Sequence, residues 1–142
     1  MYWLIFALLS AVFAALVAIF GKIGLQSVDT NTATAIRAVV MAIFLLIVVF
    51  ITGKLSDFKT IFINNKALFY IILSGIAGAL SWLFYFVALK GAKVSQIVPI
   101  DRLSVVFALL LAFIFLGEKV SWQSWLGAGL IVAGGVIIAL AK

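Results

Sequence analysis

YWLIFALLSAVFAALVAIFGKIGLQSVDTNTATAIRAVVMAIFLLIVVFIT, residues 2–52, is two long apolar runs joined by a short polar turn at Gln26–Thr30. A bilayer core of about 30 Å takes about 20 apolar residues as an α-helix rising about 1.5 Å per residue. Residues 2–25 and 30–52 both meet that length. Asp29 or Thr30 stands at the N-cap of the second run, where an acid suits the positive end of the helix. The same pattern returns at 67–89, 94–116 and 121–141. The sequence therefore predicts an all-α membrane protein, a single domain over 1–142 with five transmembrane helices.

The rest of the composition agrees. Of 142 residues, 68% are apolar and 10% charged, a ratio that a soluble surface does not accommodate. The first run has no Lys or Arg before it and no small-residue cleavage site, so a resident helix is expected there, not a removable signal. Cysteine and histidine are both absent, which removes disulfides, thiolate ligands and the commonest acid/base group. No metal site, cofactor or enzyme activity is expected. The net charge of +6 comes from cations scattered singly, a pattern of helix ends at lipid headgroups and not of nucleic-acid binding.

Three of the four joints are short, so successive helices should be antiparallel neighbours in one compact bundle. The longest connection, 53–66, carries Lys54, Asp57, Lys59 and Lys66 around Phe58, Ile61, Phe62 and Ile63, which reads as an amphipathic segment lying in the interface. Five spans group Lys22, Lys90, Lys93 and Lys142 on one side and Lys54, Lys59, Lys66 and Lys119 on the other. Lys and Arg bias sets orientation, so this even count predicts weak topology control and insertion in both orientations. Arg37 and Arg102 tilt the count toward the first side, and one fixed orientation is the alternative.

Ionisable groups inside spans face a bundle interior or a watery cavity, because hydrocarbon solvates them poorly. Arg37 lies two turns into the second span on a face with Thr30, Thr34 and Met41. It either binds an anionic group of a substrate or snorkels to headgroups. In the fourth span, Val98-Pro99-Ile100-Asp101-Arg102-Leu103-Ser104 is the richest segment. Pro99 either marks the first turn or kinks the helix and frees a carbonyl. Asp101 and Arg102 are adjacent and diverge by about 100°, so each needs another partner: Arg37 for Asp101, and a substrate carboxylate or headgroups for Arg102. Asp101 is either half of a structural ion pair or a proton carrier.

Ser74, Gly78, Ser81, Trp82 and Tyr85 share a small-then-aromatic face of the third span, suited to lining a cavity. Tyr85 also fits an interfacial belt. Ala7, Ser10, Ala11, Ala14, Ala18 and Gly21 give the first span a smooth packing face. In the fifth span, Gly129/Ala133 and Gly135/Ala139 are small-xxx-small pairs that favour helix association in lipid, so they are candidate dimer contacts. Trp122 and Trp125 would anchor that span at the interface.

Taken in order, Phe20-Gly21-Lys22, Arg37, Tyr85-Phe86-Val87-Ala88-Leu89-Lys90, Ala92-Lys93-Val94-Ser95, residues 98–104, Phe115-Leu116-Gly117-Glu118, Gln123, Gly127 and Gly134 resemble an EamA-type unit of the drug/metabolite transporter superfamily. The likeness covers essentially the whole chain and is greatest to the five-helix bacterial/archaeal branch. Larger members have ten helices in two inverted halves around a central cavity. The resemblance thus implies half of such a transporter, working as an antiparallel, dual-topology homodimer by alternating access in a cytoplasmic membrane. It also implies a small-molecule substrate in a cavity from the first four helices, here Arg37, Trp82, Tyr85, Asp101, Arg102 and Ser104, with the fifth helix outside and Glu118 closing the fourth span. Four-helix exporters of the superfamily use an acid in the first helix; this chain has none there, so that coupling scheme does not transfer. The competing functions are a dual-topology small-ion channel and a lipid-binding or assembly subunit without transport.

Overall fold

The computed structural model describes residues 2–141, all helix and connecting turns. Five helices are long and apolar enough to cross a membrane: Tyr2–Gly24, Thr30–Ile51, Asn65–Gly91, Val94–Leu116 and Trp122–Leu140. The protein is an all-α, multi-pass membrane protein. We label the helices α1 (Tyr2–Gly24), α2 (Thr30–Ile51), α3 (Asp57–Ile63), α4 (Asn65–Gly91), α5 (Val94–Asp101), α6 (Ser104–Leu111) and α7 (Trp122–Leu140). The chain divides into two compact units, one of residues 24–90 and one of the residues before 24 together with those from 91 onward.

In the 24–90 unit, side chains fix where the helices begin. The Asp29 carboxylate accepts from the Thr32 amide at 2.8 Å and from its hydroxyl at 3.1 Å, which satisfies an otherwise orphaned donor of the first turn. The Thr32 amide, and after it the Thr32 hydroxyl, hold this carboxyl below its ordinary value of 3.8. Its folded-state value lies below the unfolded one, so the cap's contribution is complete above about pH 4 and fades as pH falls through the folded-state value. Asn64 caps α4 through a 3.0 Å bond from the Ala67 amide. That cap starts the third span at residue 65, two residues before the apolar run suggests. Between α2 and α4, the connection holds the short helix α3, with every residue exposed.

Lysines close the turns on the first side. Lys90 Nζ donates to the Val28 carbonyl at 2.9 Å, and in the other unit Lys22 Nζ donates to the Ala92 carbonyl at 2.8 Å. Each lysine stands in the last turn of its own helix, where a cation meets the negative end of the helix dipole. These two charges therefore belong to helix ends, as the scatter of cations along the sequence suggests.

The fourth span, for which Pro99 left open a first-turn or a kinked course, is interrupted. It is α5, an interruption at Arg102–Leu103, α6, and then a π-helical turn over Ala112–Leu116. Pro99 is not in the first turn of α5 but at its sixth position. It deprives the Ser95 carbonyl of a donor. One turn later Leu103 donates to Ile100, three residues back, at 2.9 Å, where an unbroken α-helix would bond Leu103 to Pro99. The Pro99 carbonyl, released from that ladder, lies against Gly135 of α7. A Cβ on Gly135 would stand 3.0 Å from that oxygen and 3.5 Å from its carbon. α5 and α7 pack together there, and Gly135 is buried. Gly117 ends the span in the left-handed region at φ +66°, while the Glu118 amide reaches back to the Ala112 carbonyl at 3.2 Å.

Two substitutions test this account by thermal unfolding in detergent. Gly135→Ala should cost about 1–3 kcal/mol, because the crowding atoms are backbone and cannot rotate away. Gly134→Ala next to it, where a Cβ meets open space, should be neutral or slightly stabilising. Equal effects would show that the close approach of α5 to α7 does not matter. Gly117→Ala should cost about 1–2 kcal/mol for its left-handed backbone.

Candidate functional site

Within the 24–90 unit, α2 and α4 enclose a groove of about 560 Å³. Its floor is made of small residues, Ala35, Ala38 and Ala42 from α2 and Gly75, Gly78 and Ala79 from α4, with Met41, Leu45 and Leu83 beside them. Residues 75, 78, 79, 82 and 86 recur at helical spacing, so α4 offers glycine and alanine along one stretch of this stripe and aromatic rings along the next. Polar side chains gather at one end, where Asn31, Thr34 and Arg37 line the groove. Thr34 is buried, and its hydroxyl donates to the Thr30 carbonyl of its own helix at 2.7 Å.

Arg37 lies over the aromatic face of α4. Its guanidinium carbon is 3.5 Å from the Trp82 ring centroid and 5.4 Å from that of Phe86. Trp82 is itself held edge-to-face by Tyr85 at 5.5 Å and by Phe86 at 5.8 Å. Lys90 binding to Val28 sets the register: Arg37 follows Val28 by nine residues, and Trp82 precedes Lys90 by eight. At about 1.5 Å per residue in antiparallel helices, the two side chains start from the same depth, some 12 Å inside that contact. The stack therefore keeps the guanidinium at the level of Trp82.

Among the described residues, no acceptor hydrogen-bonds to that guanidinium; its contacts are the two rings. Arginine carries five donors and stays charged, so its N–H edges remain available to a ligand in an otherwise apolar groove.

The other residues singled out in the sequence fall as follows. Tyr85 is half-buried beside Trp82. Ser74 and Ser81 are exposed and do not line the groove, whose α4 face is turned one residue from the expected one, onto Gly75 and Ala79. Phe86, missing from the expected site, is buried in the aromatic cluster. Its position four residues after Trp82 was the available signal. Asp101, Arg102 and Ser104 belong to the other unit, at the interruption of the fourth span, and all three are exposed. Arg102 edges a smaller cavity of about 330 Å³ with Pro99, Gly134 and Gly135. In α7, Gly135 spends its missing side chain on Pro99 inside the chain, Ala139 is half-buried, and Gly129 and Ala133 are exposed.

Comparison with known proteins now bears on this geometry. The profile of the EamA-like transporter family matches residues 1–140. The chain belongs to that family. A Sinorhizobium protein described as an uncharacterized transporter in the cobO 3′ region is 39% identical over 138 residues, 97% of this chain and 96% of the relative. No solved structure matches. The EamA-like chain is thus a membrane transporter, and the α2–α4 groove is its candidate substrate site.

The unspent charge on Arg37 has a measurable consequence. An arginine costs about 3 kcal/mol at the centre of a span on insertion scales and less toward its end, and stacking on an indole returns about 1–2. Arg37→Met, which keeps the length and fills the groove wall, should therefore raise thermal stability in detergent by about 1 kcal/mol. Destabilisation by more than that would mean that the cation is satisfied within the protein.

Proposed function

We propose that the chain is a carrier of small organic metabolites in the cytoplasmic membrane of a bacterium or archaeon. On this reading the five-helix domain is one half of the working unit. Two copies pair in antiparallel fashion, and the pair exposes its central site alternately to either side. The observation that carries the reading is the groove itself: a wall of small residues ending in a guanidinium held on Trp82. A site of this size and polarity, mostly apolar with a few polar groups at one end, is of the kind that holds small organic ligands. Family membership supports transport, and the even division of lysines between the two sides supports insertion both ways. Asp101, exposed at the end of α5, is the acid assigned to proton coupling, with Arg102 and Ser104 beside it at the interruption. Gly129 and Ala133 are the α7 positions open to a second copy.

Topology is tested by single cysteines at Ser27 and Ser56, exposed positions in turns on opposite sides, reacted with an impermeant thiol reagent. Both sites should label by half in intact cells and fully after lysis. Complete labelling at one site and none at the other would exclude the antiparallel pair. Transport is tested by flux into proteoliposomes: saturable uptake is expected, and it should fall at least tenfold in Trp82→Ala and Arg37→Gln. Fast, unsaturated flux would indicate a channel, and none would indicate an assembly subunit. Asp101→Asn should abolish uptake driven by a pH gradient while leaving downhill exchange intact.

A further inference from the structure

The chemistry of the α2–α4 groove restricts what it can hold more tightly than the word metabolite does. We infer that its ligand is a small monocarboxylate with an apolar body, the carboxylate on the N–H edge of Arg37 and the body along the alanine–glycine floor. This rests on the carrier reading for its physiological meaning, though its binding claim stands by itself.

Charge comes first. The groove has one cation and no acid among its lining residues, so an ammonium group would lie beside Arg37 with no counter-charge. Burying such a group unpaired is prohibitive, which excludes amines and disfavours zwitterions. A carboxylate, in contrast, matches the planar fork of a guanidinium through two parallel N–H bonds. Trp82 covers one face of that guanidinium and leaves its edges open.

Polarity along the groove comes second. From Arg37 to Leu45 the α2 wall runs eight residues, about 12 Å, and past Arg37 its lining side chains are Ala38, Met41, Ala42 and Leu45. Opposite them stand Gly75, Gly78 and Ala79. A sugar or polyol would lose its hydrogen bonds to water there and find none in return. An aromatic ring or a short branched chain loses nothing, and the volume of about 560 Å³ admits one without requiring a long acyl tail. A second carboxylate on the body would lie against alanine and glycine, so dicarboxylates are excluded on the same ground.

The test uses the intact protein in detergent with Trp3, Trp122 and Trp125 replaced by phenylalanine, leaving Trp82 as the sole tryptophan, excited at the red edge where tyrosine does not absorb. Benzoate should change Trp82 emission saturably. Benzamide, of the same shape without the charge, benzylamine, of opposite charge, and acetate, without the body, should each bind at least tenfold more weakly. Arg37→Gln should bring benzoate to the level of benzamide, and Arg37→Lys should recover part of the difference. Equal binding of benzoate and benzamide, tighter binding of benzylamine, or a response to oleate alone, marking a lipid site, would each overturn the inference. Counterflow of benzoate in proteoliposomes reads the carrier separately. Binding without flux would remove the carrier reading and leave the ligand class; saturable flux of other solutes without benzoate binding would do the reverse.

Discussion

Hydrocarbon supplies no hydrogen-bond partner to a peptide group, and each unsatisfied amide or carbonyl at that depth costs several kcal/mol. Everything regular in this protein follows from that constraint, since only a helix satisfies its own backbone within a single span. The departures are therefore informative. The fourth span breaks at Arg102–Leu103 and ends in a π-helical turn, and at the break Leu103 turns to a nearer carbonyl. The freed Pro99 carbonyl lies against Gly135, where even a Cβ would force the backbone to give way. A glycine on one helix thus makes a proline tolerable on another, and the pair joins α5 to α7.

The same constraint acts on side chains, where it separates charges that stabilise from one that does not. Lys22 and Lys90 lie at helix ends and bind turn carbonyls, so their cost in lipid is small and their gain local. Arg37 has no such acceptor and is set two turns deep. Stacking on Trp82 recovers part of its desolvation but cannot use its donors, since a ring face meets the flat of the guanidinium and not its edge. A residue expected to lower stability where it stands, yet laid against two rings of a packed aromatic cluster, would be oriented for something other than folding.

Length, apolarity and end-capping residues made the five spans legible in the sequence, to within about two residues at each end. Asn64 shifted the start of α4 because a cap overrides the hydropathy of the next two residues. The interruption of the fourth span was half legible: Pro99 announces a disturbance, but what lies against its carbonyl, Gly135, stands more than thirty residues away in sequence. Arg37 and Trp82 stood out as a charge and an indole deep in apolar runs. Phe86 did not, because one phenylalanine among 13 is distinguished only by which way its helix is turned. That same turn sent Ser74 and Ser81 outward and brought Gly75 and Ala79 into the groove. Polarity was a poor guide to the lining, since six of the 13 residues that form this groove are alanines and glycines too small to carry any chemistry.

An antiparallel homodimer would also have a consequence for direction that no single residue sets. Two identical chains related by a two-fold axis in the membrane plane exchange roles when the site reopens on the other side, so the two open states are the same structure viewed from opposite faces. Their free energies are then equal apart from the membrane potential and the difference between leaflets, and the protein has no built-in preference for one side. Net flux would follow the gradient of the carried solute. A carboxylate on Arg37 sharpens the point, because the loaded groove would be close to neutral while the empty one keeps a bare guanidinium. Reorientation of the loaded site would then be the less costly step, and exchange of one carboxylate for another would run faster than net uptake. Coupling to a second gradient would supply the missing asymmetry only from outside the protein, which puts direction in the cell and not in the fold.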